Sequence, residues 1–323
     1  MKSTACKAGA AKHGIKLYAP RYYRAFSCIA DRCRHSCCIG WEIDVDEQTL
    51  ELYRSLSDGY GKTVAESIDE EDVPHFRLVA GERCPHLDEQ GLCRIIKSMG
   101  EGYLCEICRE HPRFYHDTPR GKEVGVGMAC EEAARLILQS EDFDSFVEIG
   151  AVEGRALRGR RGFDALAVRA ELYACLSDRS RPYAERLHQI SAVYGVSPLM
   201  NSDEAWRALL GDLEYLDDAH RAAFLGYTST PSVPTAIEEP LCRALAYFIF
   251  RHCSATRDAD AFRESLGFAL FCERLIASVA EREAVKTIDA LADIARIVSE
   301  ELEYSEENTD AIKQVFWELS QPS

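Results

Sequence analysis

Nine cysteines lie between Cys28 and Cys130, and thiols at that density point to metal or redox chemistry. They are Cys28, Cys33, Cys37, Cys38, Cys84, Cys93, Cys105, Cys108 and Cys130. The other five (Cys6, Cys175, Cys242, Cys253 and Cys272) are scattered. The first group, CIADRCRHSCC, has the form C-x4-C-x3-C-C; the second is CPHLDEQGLC, the third CEIC, and Cys130 stands alone. Thiolate is a soft ligand that suits zinc or an iron–sulfur cluster. A closed zinc site or a cubane cluster takes four ligands, so nine cysteines exceed one site. Either two sites exist, or several cysteines pack around one. In extended backbone, neighbouring side chains point to opposite faces, which makes one of Cys37 and Cys38 an accessory. The CEIC spacing at Cys105 and Cys108 is the most metal-like, because a tight turn aims both sulfurs at one point.

Competing chemistries are weaker. A single cysteine packs as a small hydrophobe, but nine in one region do not read that way. A disulfide framework belongs to oxidising compartments. The opening, MKSTACKAGAAKHGIKLYAP, holds no apolar run of signal-peptide length. No stretch approaches 18 uncharged apolar residues. The expectation is a cytoplasmic chain with no membrane contact and reduced thiols. CEIC as a thiol oxidoreductase motif lacks the flanking strand and helix such a site needs and leaves seven clustered cysteines unexplained. The first group is not the C-x3-C-x2-C of radical enzymes, and GVG at 125–127 opens no phosphate-binding helix.

The elements that must position these residues divide the 323-residue chain near residue 140. The expected fold is mostly α. Residues 1–140 form an irregular cysteine-rich metal-binding domain with short strands, and residues 141–323 form an α-helical domain. In the first part, DVDEQTLELYRSL (44–56) reads as a helix capped by Asp44 or Asp46. Residues 58–73 read as a solvated loop or frayed helix. PHFRLVAGERCPHLDEQGLCRII (74–96) reads as short strands or turns, with Asp88 and Gly91 bracketing a tight turn. GKEVGVGMAC reads as a strand running into a helix, EEAARLILQS, with Glu131 and Glu132 in its first turn. From about 161 onward, apolar residues recur at helical spacing, broken by the Pro/Ser/Thr-rich stretch 226–240. Net charge is −3 over residues 1–140 and −13 over 141–323. The acidic half repels nucleic acid and anionic membrane and suits solubility or a cationic, lysine-bearing protein surface.

RYYRAFSCIADRCRHSCCIGWEIDVDEQTLELY resembles the opening of the flagellin lysine-N-methylase family. It has an aromatic lead, spaced cysteines ending in a pair, Gly-Trp, an acidic turn and a helix. CPHLDEQGLCRI, LCEICREHPRF and MACEEAARLIL resemble the rest of that family's cysteine-rich region, and AVRAELYACL, RPYAERLHQI and LAYFIFRHC also fit. The paired cysteines and the CPxL…GxC element are shared with a broader group of zinc- or iron-chelating proteins. The resemblance implies a 4Fe-4S iron–sulfur cluster and S-adenosylmethionine as methyl donor. It also implies a protein substrate with exposed lysines, such as flagellin. Zinc is the alternative metal, and a non-catalytic cysteine-rich interaction module is the alternative function.

Methyl transfer needs a neutral amine, in-line positioning and exclusion of water. The expected catalytic candidates are Tyr23, Asp44 and Tyr103, with Tyr22 and Tyr115 in reserve. Arg109, Arg113 and Trp41 are the expected cofactor-binding residues: a guanidinium fork suits the donor's carboxylate, and an aromatic face suits its cationic sulfonium. The plainer alternatives are that Arg109, His111 and Arg113 balance a negatively charged cluster, and that Trp41 and Tyr103 cover it. Glu131 and Glu132 suit a ribose or simply the helix terminus. The basic run Arg158, Arg160 and Arg161 suits a solvated linker.

Overall fold

The computed structural model describes residues 14–153 and 162–321, so Arg158, Arg160 and Arg161 lie outside the described residues. The strands are β1 (Ile15–Pro20), β2 (Ile68–Asp69), β3 (His75–Phe76), β4 (Arg113–Thr118), β5 (Gly121–Val126) and β6 (Phe146–Val152). Four of them form one sheet in the order β4-β5-β1-β6, and β2 pairs with β3. β4 and β5 form a hairpin, β1 lies parallel to β5, and β6 runs antiparallel to β1. The sheet therefore draws strands from both sides of residue 140. At the hairpin turn Gly121 has φ +147, and a Cβ there would lie 2.4 Å from the Lys16 carbonyl oxygen. Only glycine lets β1 approach so closely.

The cysteine-rich region holds α1 (Glu47–Ser55), α2 (Gly59–Glu66), α3 (Arg94–Met99), α4 (Glu106–Glu110) and α5 (Glu131–Gln139). Asp46 is the cap of α1 and accepts from Thr49 N at 3.0 Å through one oxygen. Its other oxygen accepts from Glu106 N at 2.7 Å, so one carboxylate ties the starts of α1 and α4 together. Asp46→Ala removes both bonds and is expected to cost about 1–2 kcal/mol, read as a lower urea midpoint. An unchanged midpoint refutes that coupling.

Residues 58–73, expected as a solvated loop or a frayed helix, begin as a helix and continue into the short strand β2. α2 buries Val64, and Gly61 sits against Leu56, where a Cβ would lie 2.7 Å from the Leu56 Cβ. The apolar contacts of α2 come from Tyr60 and Val64, and a single i, i+4 pair is too sparse a signal to read as periodicity. The turn at 88–91 is as expected: Gly91 N donates to Asp88 O, and the Asp88 carboxylate accepts from Gln90 N and Leu92 N.

The helical part consists of α6 (Ala165–Ser177), α7 (Tyr183–Tyr194), α8 (Asp203–Asp212), α9 (Asp218–Phe224), α10 (Thr235–Cys253), α11 (Ala259–Arg282), α12 (Ile288–Val298) and α13 (Glu306–Ser320). Between α12 and α13, Ser299–Glu303 takes a wider π-helical turn. α10 is buried on every side from Pro240 to Phe250, and α11 nearly so, which marks them as the central helices. The sheet docks on α10 through aromatic contacts of Phe250 with Phe114 (5.1 Å between centroids) and Phe146 (5.0 Å).

A second, smaller apolar cluster holds Ile43, Val45, Leu50, Tyr53, Val64, Phe76 and Ile95 together with Cys84 and Cys105. The fold is thus mostly α with a small sheet, and among the described residues no helix is long and apolar enough to cross a membrane.

Candidate metal centre

The nine cysteines all carry free thiols, and their surroundings sort them into two neighbourhoods. The inner one is the smaller apolar cluster, which buries Cys84 and Cys105 and packs Cys38, Cys93 and Cys108 against them. Local structure explains the convergence. Cys84 N donates to Cys38 O at 2.8 Å, which joins the 37–38 turn to the 84–93 loop. Leu87 bridges to Cys93 across the Asp88 turn. Cys105 and Cys108 bracket the first turn of α4, held in place by Asp46. The Cys105 and Cys108 thiols hydrogen-bond each other, which favours losing the first proton of the pair and opposes losing the second. Burial pushes the Cys84 thiol up to about 11.

The outer neighbourhood comprises Cys28, Cys33, Cys37 and Cys130. Cys33 Sγ lies 2.9 Å from His35 O and 3.8 Å from the Glu131 carboxylate. Its thiol senses Cys37 and Cys28, while Cys130 senses Cys33 and Cys37. Burial pushes Cys130 up to about 12.

Cys37 and Cys38 do not diverge. Residues 37–38 form a turn rather than extended chain, and their thiols hydrogen-bond each other, which raises Cys37. The expectation of opposite faces assumed a strand-like backbone. Cys37 consequently stands between the two neighbourhoods.

Among the described residues no three Cys, His, Asp or Glu side chains are drawn closely enough to hold a metal ion. The inner donor set nevertheless fits one chemically. It offers five thiols where a cluster or zinc needs four, inside an apolar shell. The region's buried histidine, His86, is not a spare donor: its Nδ1 meets Tyr60 Oη at 2.8 Å and its Nε2 meets Ser67 Oγ at 2.9 Å.

Burial, reinforced by Arg94, lowers His86 to about 4. The unfolded chain, with an ordinary histidine pKa near 6.5, then binds more protons between those values. Its contribution is complete above about pH 6.5 and is lost as pH falls toward 4, by about 2 kcal/mol between pH 7 and 5. Urea midpoints at the two pH values should separate less in His86→Gln, which cannot take up a proton; an equal separation refutes this assignment.

The other expected site residues fall in different places. Tyr23 packs against the large helical core, and its hydroxyl accepts from Arg113 Nε at 3.0 Å. The Arg113 guanidinium also reaches Arg109 O and covers Phe26. Arg109 lies beside Glu110 at 3.7 Å. Tyr103 lines the smaller apolar cluster, where its carbonyl accepts from Tyr53 Oη. Asp44 is exposed and bridges to His75 through backbone, so the three catalytic candidates do not converge. Trp41 donates from Nε1 to Cys37 O and contacts the His111 ring at 6.3 Å, which in turn contacts Tyr304 at 6.5 Å. Tyr22 packs against the large core, and Tyr115 donates to Glu110. Glu131 is held by Arg34 and Glu132 by Arg135.

Sequence reasoning missed a buried polar knot beside Gly127. Glu303 accepts from Tyr247 Oη (3.0 Å), His252 Nε2 (2.7 Å) and Ser299 Oγ, and it pairs with the Arg251 guanidinium, whose Nε lies 3.2 Å away. A Cβ on Gly127 would lie 2.4 Å from Tyr304 Oη and 2.8 Å from Arg251 Nη1. The signal available was a run of ionisable residues, RH at 251–252 and EELE at 300–303, inside strongly apolar helices.

No family model and no solved structure matches the chain. Curated proteins do. The chain is 30% identical over 135 residues to lysine-N-methylases of Salmonella typhimurium and Salmonella choleraesuis, covering 40% of this chain and 34% of each relative. The chain therefore spans about a third of the length of those two proteins. It is also 30% identical over 135 residues to the flagellar biosynthetic protein FliU of Salmonella muenchen, of which it covers 80%. Spanning four-fifths of FliU at that identity, and matching two lysine-N-methylases over the same length, the chain belongs to the flagellin lysine-N-methylase family.

Proposed function

We propose that this chain is a cytoplasmic protein-lysine N-methyltransferase. Its methyl donor is S-adenosylmethionine, its acceptor an exposed lysine on a flagellin-type protein, and its N-terminal cysteines hold a 4Fe-4S cluster. The observation that carries this reading is the 30% identity to two proteins named lysine-N-methylase. The buried inner thiols support the cluster, and the net charge of −13 over residues 141–323 supports a lysine-bearing partner.

In the reaction the lysine Nζ lone pair attacks the sulfonium methyl carbon. The N–C bond forms as the C–S bond breaks, the bonding pair returns to sulfur as S-adenosylhomocysteine, and the amine's proton leaves to a base or water. A lysine ammonium has a pKa near 10.4, so the protein must desolvate it or take up its proton. Tyr23, fixed by Arg113, is the expected catalytic side chain with the firmest hold. A bound iron–sulfur cluster would supply thiolate-ligated iron that joins α4 to the 37–38 turn and the 84–93 loop.

The test is anaerobic co-expression with a flagellin, followed by iron and sulfide analysis and mass spectrometry of the flagellin lysines. Brown protein and donor-dependent methylation are expected. A colourless zinc protein that transfers no methyl group overturns the proposal in favour of a non-catalytic interaction module.

A further inference from the structure

The inner set reaches four thiols with Cys84, Cys93, Cys105 and Cys108, and Cys38 packs beside them. Cys28, Cys33, Cys37 and Cys130 remain, a full complement for a second closed metal site. A clamp made by other residues brings them together. Arg34 N donates to Glu131 Oε2 at 2.9 Å, and Arg34 Nε donates to Glu131 Oε1 at 3.0 Å. The same guanidinium donates to both carboxylate oxygens of Asp293 on α12, at 2.6 and 3.2 Å. Arg34 directly follows Cys33, and Glu131 directly follows Cys130. The clamp therefore sets these two thiols near each other, with Cys33 Sγ 3.8 Å from the Glu131 carboxylate. Cys28 enters from the other end of the same short loop. Ala30, at φ +51, turns the chain between them: its N lies 3.4 Å from Cys28 Sγ, and its carbonyl accepts from Cys33 N.

The surroundings separate this set from the inner one. The inner thiols sit in an apolar shell, whereas Cys28 and Cys37 are exposed. Arg34, His35, Glu131 and Asp293 make a charged and polar rim around the outer loop. Zinc has no redox chemistry, so it suits a solvent-facing place, and thiolate is among its preferred ligands. Cys130 caps α5, where the amides of the first turn favour negative charge on its sulfur.

We propose that Cys28, Cys33, Cys37 and Cys130 form a second, separate site that takes zinc(II) and pins the 28–38 loop to the start of α5. Each thiol releases its proton to solvent as its sulfur binds the ion. The proposal rests on the reading that the inner set holds a cluster of its own, and the two sites share no ligand. Among the described residues no three metal-binding side chains stand within reach of one ion. Binding must therefore draw the loop inward and stiffen it.

The test is elemental analysis of the full chain, purified anaerobically, supplied with iron, sulfide and zinc ions, and desalted. The wild type should hold about one zinc per chain beside its iron. Cys33→Ser combined with Cys130→Ser should lose the zinc and keep iron and sulfide. Cys105→Ser combined with Cys108→Ser should lose iron and keep zinc, because the Arg34 clamp docks the outer loop on α5 and α12. Cys28→Ser, at an exposed position, should weaken zinc binding roughly tenfold or more, at least the scale of losing an outer-shell partner, while its zinc-free melting curve matches wild type. Protease should cut the 28–38 loop more slowly once zinc is bound. Wild type without zinc, zinc retained by the Cys33 and Cys130 double variant, or iron and sulfide lost from that variant together with zinc overturns the separate site. Unchanged zinc affinity in Cys28→Ser overturns the four-thiol site as well. Wild type that takes up zinc but no iron, and loses the zinc in the Cys33 and Cys130 double variant, keeps this site and removes the cluster reading.

Discussion

If the N-terminal cysteines hold the proposed iron–sulfur cluster, replacing Cys105 and Cys108 together by serine is expected to strip the anaerobically reconstituted protein of most of its iron and sulfide, together with its visible absorbance. Cys105 is 1% exposed and Cys84 is 6% exposed, inside the smaller apolar cluster. Serine oxygen is a poor, hard donor for iron, so the pair is lost as ligands while side-chain size barely changes. The effect reaches the fold as well. Metal sites of this kind contribute on the order of 10 kcal/mol to folding, and the cluster around Tyr53 and Phe76 is small. The variant's N-terminal region should therefore be cut by protease where the loaded wild type resists. Cys253→Ala and Cys272→Ala are the controls: both thiols are fully buried in the central helices, away from the inner set, and both should keep full iron. The double serine variant retaining wild-type iron and sulfide would remove α4 from the metal centre. Thiols bind iron as thiolates, so loading releases protons and iron uptake should weaken as pH falls.

Much of this region was legible from local chemistry. An aspartate before an amphipathic run, Asp44 or Asp46, pointed to the cap of α1, which is Asp46, and Asp88 with Gly91 gave the turn that returns Cys93 toward Cys84. Most helices after residue 165 followed from their 3.6-residue period, although α10 begins at Thr235, inside the stretch 226–240 that reads as a connection. What escaped is what depends on distant pairing. β1 is only six residues, IKLYAP, and becomes a central strand because β5 and β6, more than a hundred residues later, flank it. The partition of the cysteines depended on a turn at 37–38 that a pair of adjacent cysteines does not announce. A cleft between β4, the end of α10 and the start of α13 escaped for the same reason. His116 shows only as one step in the alternation of FYHD, while Arg251 and Lys313 lie in helices whose sequence says nothing of their facing β4. Tyr23 and Asp44, close in sequence, end in different surroundings because the chain between them runs through the cysteine turns.

Arg169→Met should destabilise the protein by about 3–5 kcal/mol, the scale for breaking a buried ion pair from one side. Glu123, at the centre of β5, is 0% exposed and accepts from both ends of the Arg169 guanidinium, at 2.7 and 2.8 Å. The same guanidinium donates to Ser254 Oγ at 2.6 Å and lies 4.3 Å from the Phe146 ring centroid. One side chain of α6 thus holds β5, β6 and the end of α10. With methionine in its place the Glu123 carboxylate is left buried without its counter-charge, which is where the cost arises. Restoring neutrality should recover much of it: Glu123→Gln combined with Arg169→Met is expected to be more stable than Arg169→Met alone, because an amide costs less to bury unpaired than a carboxylate. Urea unfolding of the wild type, both single variants and the double variant closes the cycle. A loss below about 1 kcal/mol for Arg169→Met, or a double variant weaker than either single one, would show that this contact is not what fixes the sheet to the helices. The sheet's attachment would then rest on the packing of Phe114 and Phe146 against Phe250 and on the Arg251 guanidinium over the Phe114 ring.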